Sequence, residues 1–165
     1  MKNLYLIRHA KSSWDQQGLR DFDRPLNGRG LETAPLMAQL LLRNGIKPDL
    51  LIASPAKRTL ATARFFADAF GIDESEIRQE QDLYLPSTPE LLYIVKNLPN
   101  DKSTIFLFGH NPGLTHLANM FTASYIDNVP TCGVVHIQAQ IDNWESLSEA
   151  SGAVTRTYFP KNELR

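Results

Sequence analysis

Residues 6–14 read LIRHAKSSW, and the apolar run Leu4 to Ile7 leads straight into Arg8 and His9. A short unbroken run of this kind reads as a strand buried on both faces, here Asn3 to Arg8, of the sort found inside parallel sheets. Such a strand would be expected to finish in something easily solvated. A cation and an imidazole at its end need a partner to balance them.

Outward from that strand, the pattern alternates. LETAPLMAQLLLRNG predicts a helix with Ala34, Met37, Ala38 and Leu41 on one face and Gly45 as its stop. Pro35 marks either a late first turn or a kink. DLLIAS is a second buried strand, and SPAKRTLATARFFADAFG a helix with Ser54 as N-cap, Pro55 at its first position and Gly71 beyond its end. Leu60, Ala63, Ala67 and Phe70 form its apolar stripe. SEIRQEQDLY predicts a short strand and a loop, and STPELLYIVKNL a helix capped by Thr88.

STIFLFGHNPGLTHLANMF repeats the strand–turn–helix pattern, with Asn111 as N-cap, Pro112 at the first helical position, and Leu114, Leu117, Ala118 and Phe121 facing the core. After it, GVVHIQAQI, Asp142-Asn143 and WESLS read as an antiparallel hairpin, and AVTRTYF as a last strand. The whole chain, residues 1–165, is therefore expected to form one α/β domain: a mostly parallel central sheet flanked by helices, with antiparallel edge strands. Ligands of open sheets bind beyond the carboxyl ends of the strands. Arg8-His9, Ser54 to Arg58 and Gly109-His110-Asn111 all follow strand ends, so one crevice can collect them.

Composition narrows what that crevice serves. The 165 residues are 42% hydrophobic, enough for a real core, and the formal net charge is −1. No global field draws the chain to nucleic acid or to a membrane surface. The single cysteine, Cys132, excludes an intrachain disulfide. MKNLYLIRHA is charged too early for a secretory leader, and no apolar run approaches the ~20 residues that span a bilayer. A cytoplasmic protein is expected.

Two arginines and two histidines at strand ends suit a dianionic phosphoryl group. Guanidinium forks match its oxygens, and Asn111-Pro112-Gly113 opens a helix whose N–H groups could face an anion. A neutral imidazole is a competent nucleophile toward a phosphorus centre whose charge has been neutralised. His9, on a rigid strand end, is the better placed nucleophile, and His110 a donor to the phosphoryl oxygens. His116, inside an apolar helix, and His136, in a strand, read as structural. His110 and His116 are six residues apart, not the four that put two zinc ligands on one helix face. A Walker loop is absent.

LIRHA, SPAKRTLATA and FGHNPG, in that order from Leu6 to about Gly133, together resemble the histidine phosphatase superfamily, which includes phosphoglycerate mutases. The resemblance implies a phosphoglycerate mutase-like fold, no metal ion or other cofactor, His9 as a transiently phosphorylated nucleophile, and Arg8, Arg58 and His110 as its phosphate pocket. RHAKSSW followed by DFDRPLNGRG is similar to the small SixA-type phosphohistidine phosphatases, and implies that Arg24 joins the pocket. Read alone, Arg24 is a surface arginine before Pro25.

Larger relatives insert a lid between the second and third motifs, and Thr59 to Gly109 leaves no room for one. An open site suits a phosphorylated side chain on a partner protein, and admits small phosphate esters. Ester hydrolysis needs a proton for its leaving group, and many relatives place a Glu in the loop after the third strand. The matching stretch QEQDLYLPS offers Asp82 first and Glu80 second as general acid, with Asp21 and Asp23 as further candidates. The expectation is a phosphatase acting on protein phosphohistidine. Its alternatives are a broad small-molecule phosphomonoesterase and a phosphohistidine-binding module without turnover.

Overall fold

In the first strand, β1 (Lys2–Arg8), the pleat sends Leu4 and Leu6 into one apolar cluster and Tyr5 and Ile7 into another. That division organises the computed structural model, which describes residues 1–164. The chain continues through α1 (Gly28–Arg43), β2 (Leu50–Ala53), α2 (Lys57–Ala69), β3 (Arg78–Gln79), α3 (Thr88–Lys96) and β4 (Thr104–Gly109). It ends with α4 (Gly113–Asn119), β5 (Val134–Ala139), β6 (Gly152–Tyr158) and α5 (Pro160–Glu163). The six strands form one sheet in the order β3-β2-β4-β1-β5-β6. Strands β3, β2, β4 and β1 are mutually parallel, and β5 runs antiparallel to both β1 and β6. This is the α/β sheet with an antiparallel edge that the sequence predicts.

Helices α1 and α2 cover the face carrying Tyr5, Ile7, Phe106 and Phe108, while α3 and α4 cover the face carrying Leu4, Leu6, Ile105 and Leu107. Neighbouring strands β1 and β4 thus send their connections to opposite faces, β1 into α1 and β4 into α4. The loops diverge and leave a crevice at the carboxyl ends of these two strands. Arg8 pairs with Gly109 in the register, so Arg8-His9 and Gly109-His110 lie side by side at its floor.

Several local expectations need correction. Pro35 lies inside α1, not in its first turn. The bond it cannot donate belongs to the carbonyl of Leu31, an exposed residue that water can serve. Helix α2 starts at Lys57, with Ala56 and not Ser54 at its cap, because the Ser54 side chain is fully buried and engaged elsewhere. Its large core residue is Phe66, which the predicted stripe omits. Helix α3 is capped by Ser87 in a reciprocal box with Glu90, and Thr88 is its first helical residue. Helix α4 starts at Gly113 with Pro112 at its cap position.

The hairpin partner of β5 is β6, not WESLS. Residues Trp144–Ser146 form a 3-10 turn that buries the Trp144 indole, whose Nε1 donates to Lys102 O at 3.0 Å. Burying an aromatic of this size outweighs continuing an extended strand.

Candidate active site

The backbone around His9 is fastened on both sides. His9 N donates to Gly109 O at 3.1 Å, Arg8 N donates to Gly133 O at 3.1 Å, and Cys132 N donates to the carbonyls of Arg8 and His9. The strands on either side of β1 therefore fix the direction in which the imidazole leaves the sheet. His9 Nδ1 lies 2.7 Å from Ala10 O. A carbonyl only accepts, so Nδ1 carries the proton and the lone pair is on Nε2. Nε2 receives the Arg58 Nε–H at 3.4 Å. Burial, followed by the nearby guanidinium of Arg58, pushes the His9 pKa down to about 4. The ring is a neutral base with an aimed lone pair at neutral pH.

Three arginines surround it. Arg58 leaves the first turn of α2 and is only 3% exposed. Its Nη1 donates to Asp21 O at 2.7 Å and its Nη2 to Asp21 Oδ2 at 3.0 Å. Arg24 donates through Nε to Asp21 Oδ1 at 3.1 Å and through Nη1 to Ser12 Oγ at 2.7 Å. Arg8 donates through Nη1 to Val129 O, but its buried Nε has no partner. A buried guanidinium N–H without an acceptor is costly. An oxyanion in the cavity that Arg8 lines would relieve that cost. Burial and the neighbouring Arg58 also depress the pKa of Arg8.

Asp21 is the brace of this cluster. Besides both guanidinium groups it accepts the Tyr84 hydroxyl at 2.6 Å. Burial opposes its charge, but the hydrogen bonds from Tyr84 and Arg58 prevail and bring its pKa down to about 2. The Tyr84 ring in turn stands edge-on to Phe22 and to His110, so the 3-10 turn Asp21–Asp23 is pinned from both ends.

His110 follows β4. Its Nε2 is 2.8 Å from Ser54 Oγ and 3.3 Å from Thr59 Oγ1, and its Nδ1 is 3.4 Å from Arg58 Nη2. A proton on Nε2 satisfies both sides, since guanidinium can only donate. Burial first, then the neighbouring His9 and Arg58, lower its pKa to about 3. The two imidazole centroids are 5.3 Å apart.

These groups line one cavity of about 570 Å³. Four cations, Arg8, Lys11, Arg24 and Arg58, face two carboxylates, Asp15 and Asp21. The excess matches a dianion. The predicted residues Arg8, His9, Arg24, Arg58 and His110 all meet here, and Arg24, a surface residue on a local reading, is nearly buried.

Asp82 does not meet them. It is an exposed residue beside Pro89, Glu90 and Tyr93, on a separate depression. The 3-10 turn Gln81–Leu83 buries Leu83 and turns Asp82 outward. Glu80 lies 3.9 Å from Arg78 and is not on the cavity wall either.

Asn111 is on the wall, but its amide donates to Asn128 Oδ1 and Val129 O, and its Oδ1 accepts from Thr115. It ties the turn to the 128–129 loop. The N–H groups of Leu114 and His116 are likewise engaged, by His110 O and Pro112 O, so the first turn of α4 is not the anion site its sequence promises. His136 is held between Asn3 Oδ1 and Thr155 Oγ1 and stacks on Tyr5, a structural role. Among the described residues no group of three or more His, Cys, Asp or Glu is placed to hold a metal ion.

The functional use of Ser54, Tyr84 and Asp21 as a brace is not readable in the sequence. Ser54 has the signature of a cap, and Tyr84 carries no motif. Asp21 reads only as a possible acid, although its spacing to Arg24 in DFDR is that of a local ion pair.

Known proteins resemble this chain in sequence and in shape. A profile of the histidine phosphatase superfamily (branch 1) matches residues 4–84. An uncharacterized chloroplastic protein of Arabidopsis thaliana is 36% identical over 159 residues, covering 92% of this chain and 72% of that one. Phosphoserine phosphatase 1 of Hydrogenobacter thermophilus is 42% identical over 77 residues, 44% of this chain and 35% of its own length. The crystal structure of SixA from Agrobacterium tumefaciens, put forward as a phosphohistidine phosphatase, superposes with a TM-score of 0.79 at 28% identity. It covers 96% of this chain and 98% of its own. With the matched region carrying the His9, Arg24 and Arg58 segments of the cavity, the chain belongs to the histidine phosphatase superfamily, in its SixA-type branch, and is a phosphatase.

Proposed function

We propose that this phosphatase removes the phosphoryl group from phosphohistidine on a partner protein through a phosphohistidine of its own at His9. The observation that carries the reading is the paired state of two groups. His9 presents an unprotonated Nε2 to the cavity, while the carboxyl closest to the arginine clamp, Asp21, is held ionised with a pKa of about 2.

In the first step the Nε2 lone pair attacks phosphorus, and the bond from phosphorus to the substrate nitrogen breaks. The electron pair leaves with the substrate imidazole, whose other ring nitrogen has taken a proton from solvent, so it departs as neutral imidazole. Arg8, Arg24 and Arg58 offset the negative charge spread over the phosphoryl oxygens. His110 takes up a proton on Nδ1 as the dianion arrives and donates it as a hydrogen bond. The Nδ1–H of His9 stays on Ala10 O and stabilises the phosphorylated ring. In the second step water attacks phosphorus, the bond to Nε2 breaks, and inorganic phosphate leaves with His9 again neutral.

An alkoxide leaving group needs a proton delivered to it. Asp21 is too acidic to deliver one at neutral pH, and Asp82 is out of reach. An imidazole, once protonated, leaves readily, so a phosphorus–nitrogen bond suits this site better than an alkyl ester. The open crevice also admits a side chain that projects from another protein.

The test is phosphate release from a phosphohistidine carrier protein and from an alkyl phosphate such as glycerol phosphate, for wild type and His9→Ala, with a chelator present. Turnover of the carrier that exceeds that of the ester and vanishes in the variant is expected. Activity that survives in His9→Ala refutes the covalent route. Efficient hydrolysis of the alkyl ester, with none of the carrier, assigns the site to small phosphate esters. A stoichiometric complex with the carrier, without release, makes it a binding module.

A further inference from the structure

The floor of the cavity is cationic, but its wall also carries two large apolar side chains, Trp14 and Leu85. Both are open to solvent, at 77% and 52%. Scattered apolar residues on a surface need no explanation. These two share one charged cavity, and each lies beside a residue tied to Asp21: Trp14 against Arg24, and Leu85 next in the chain to Tyr84.

The Arg24 guanidinium carbon lies 3.5 Å from the Trp14 ring centroid, a stacked cation–π contact. Arg24 itself is held by Asp21 and Ser12, so the indole is laid against an immobile plate and keeps its other face free. Leu85 follows Tyr84, whose hydroxyl is on Asp21 and whose ring is against His110. The Leu85 backbone is in the left-handed region, with φ 50°, which L side chains with a branched body adopt at a cost. A leucine left both exposed and in that conformation gains little from packing within the chain.

We infer that Trp14 and Leu85 are specificity-determining residues that grip the leaving group, and that the group they fit is a flat ring bonded directly to the phosphoryl group, the imidazole of phosphohistidine. The inference rests on the function proposed above and deepens it. The cations read the phosphoryl oxygens and are indifferent to what the phosphorus is attached to. The indole face and the leucine read the ring. An aromatic contact of this kind is worth about threefold to tenfold in selectivity. A ringless substrate with the same phosphorus–nitrogen bond has nothing to offer them.

Two substrates separate this role from mere support of Arg24. Free phosphohistidine and inorganic phosphoramidate share the phosphorus–nitrogen bond and differ by the ring. Loss of Trp14 weakens the hold on Arg24 for both alike, so the ratio of their kcat/KM values cancels that effect. The measurement is this ratio for wild type, Trp14→Ala, Trp14→Phe and Leu85→Ala, with folding of each variant checked by circular dichroism.

The expected result is a ratio lowered about tenfold in Trp14→Ala, largely restored in Trp14→Phe, and lowered about threefold in Leu85→Ala. A ratio within about twofold of wild type in both alanine variants overturns the inference, even if both rates fall together. That outcome leaves the proposed function standing. If wild type hydrolyses no phosphorus–nitrogen substrate, the phosphohistidine carrier protein included, the proposed function fails instead. The same ratio is then read with 4-nitrophenyl phosphate against acetyl phosphate, where an unmoved ratio overturns the ring grip and a lowered one upholds it.

Discussion

Lowering the pH should cost this protein stability, and the two buried imidazoles of the site set the size of the effect. In the unfolded chain each histidine takes a proton near 6.5, whereas in the fold His9 resists down to about 4 and His110 down to about 3. The unfolded state therefore binds more protons throughout that interval, and stability falls as pH falls. Above 6.5 the full stability is present. Between pH ~7.5 and pH ~5 each histidine removes about 2 kcal/mol, so the pair removes about 4 kcal/mol.

Urea denaturation at both values reads this directly. Wild type is expected to lose about 4 kcal/mol, and His110→Asn about 2 kcal/mol less than that, because one of the two groups is gone. Saturating phosphate should recover part of the loss, since the anion raises the histidine pKa values toward the unfolded ones. The acid limb of kcat/KM on a substrate with no ionisation of its own in this range should also lie well below 6, where an ordinary histidine would put it. If the His9 and His110 signals titrate near 6.5 in the folded protein, or if wild type and His110→Asn lose the same stability, the account of the buried neutral pair is wrong.

Three further perturbations probe the supports of the site. A Cβ on Gly30 would sit 2.2 Å from Lys11 O, so Gly30→Ala must push α1 away from the loop that carries Lys11 and Ser12. A loss of about 2–4 kcal/mol in unfolding free energy and a fall in kcat are expected. Asp21→Asn removes the brace between Arg24 and Arg58. Because the Asp21 side chain is 40% exposed, solvent screening cuts its contribution to about 1 kcal/mol. That contribution is present above pH ~4 and disappears as pH falls through about 2, while kcat/KM at neutral pH should drop about tenfold as the arginines lose their alignment. Asp82→Asn should leave turnover within about twofold of wild type, and a loss of a hundredfold or more would restore the catalytic acid that the geometry denies it.

What the sequence determined by itself was everything that depends on neighbours in the chain. Period and punctuation located the strands and helices, and each strand end put its own chemistry at the same edge of the sheet. The motifs LIRHA, SPAKRTLATA and FGHNPG then named His9, Arg8, Arg58 and His110, and DFDRPLNGRG added Arg24.

Only the tertiary structure decided how these groups act on one another, because that depends on partners far away in the chain. The proton on His9 is placed by Ala10 O, but its lone pair is aimed at Arg58, 49 positions along. Ser54 reads as a cap from its neighbours and is a support for His110 across 56 positions. A one-dimensional reading puts Asp82 first as the acid and Asp21 only among the further candidates. A single turn that buries Leu83 sends the first out to solvent, and Tyr84, Arg24 and Arg58 converge on the second and keep it charged. Desolvation and charge coupling are properties of three-dimensional distance, and no local pattern records them.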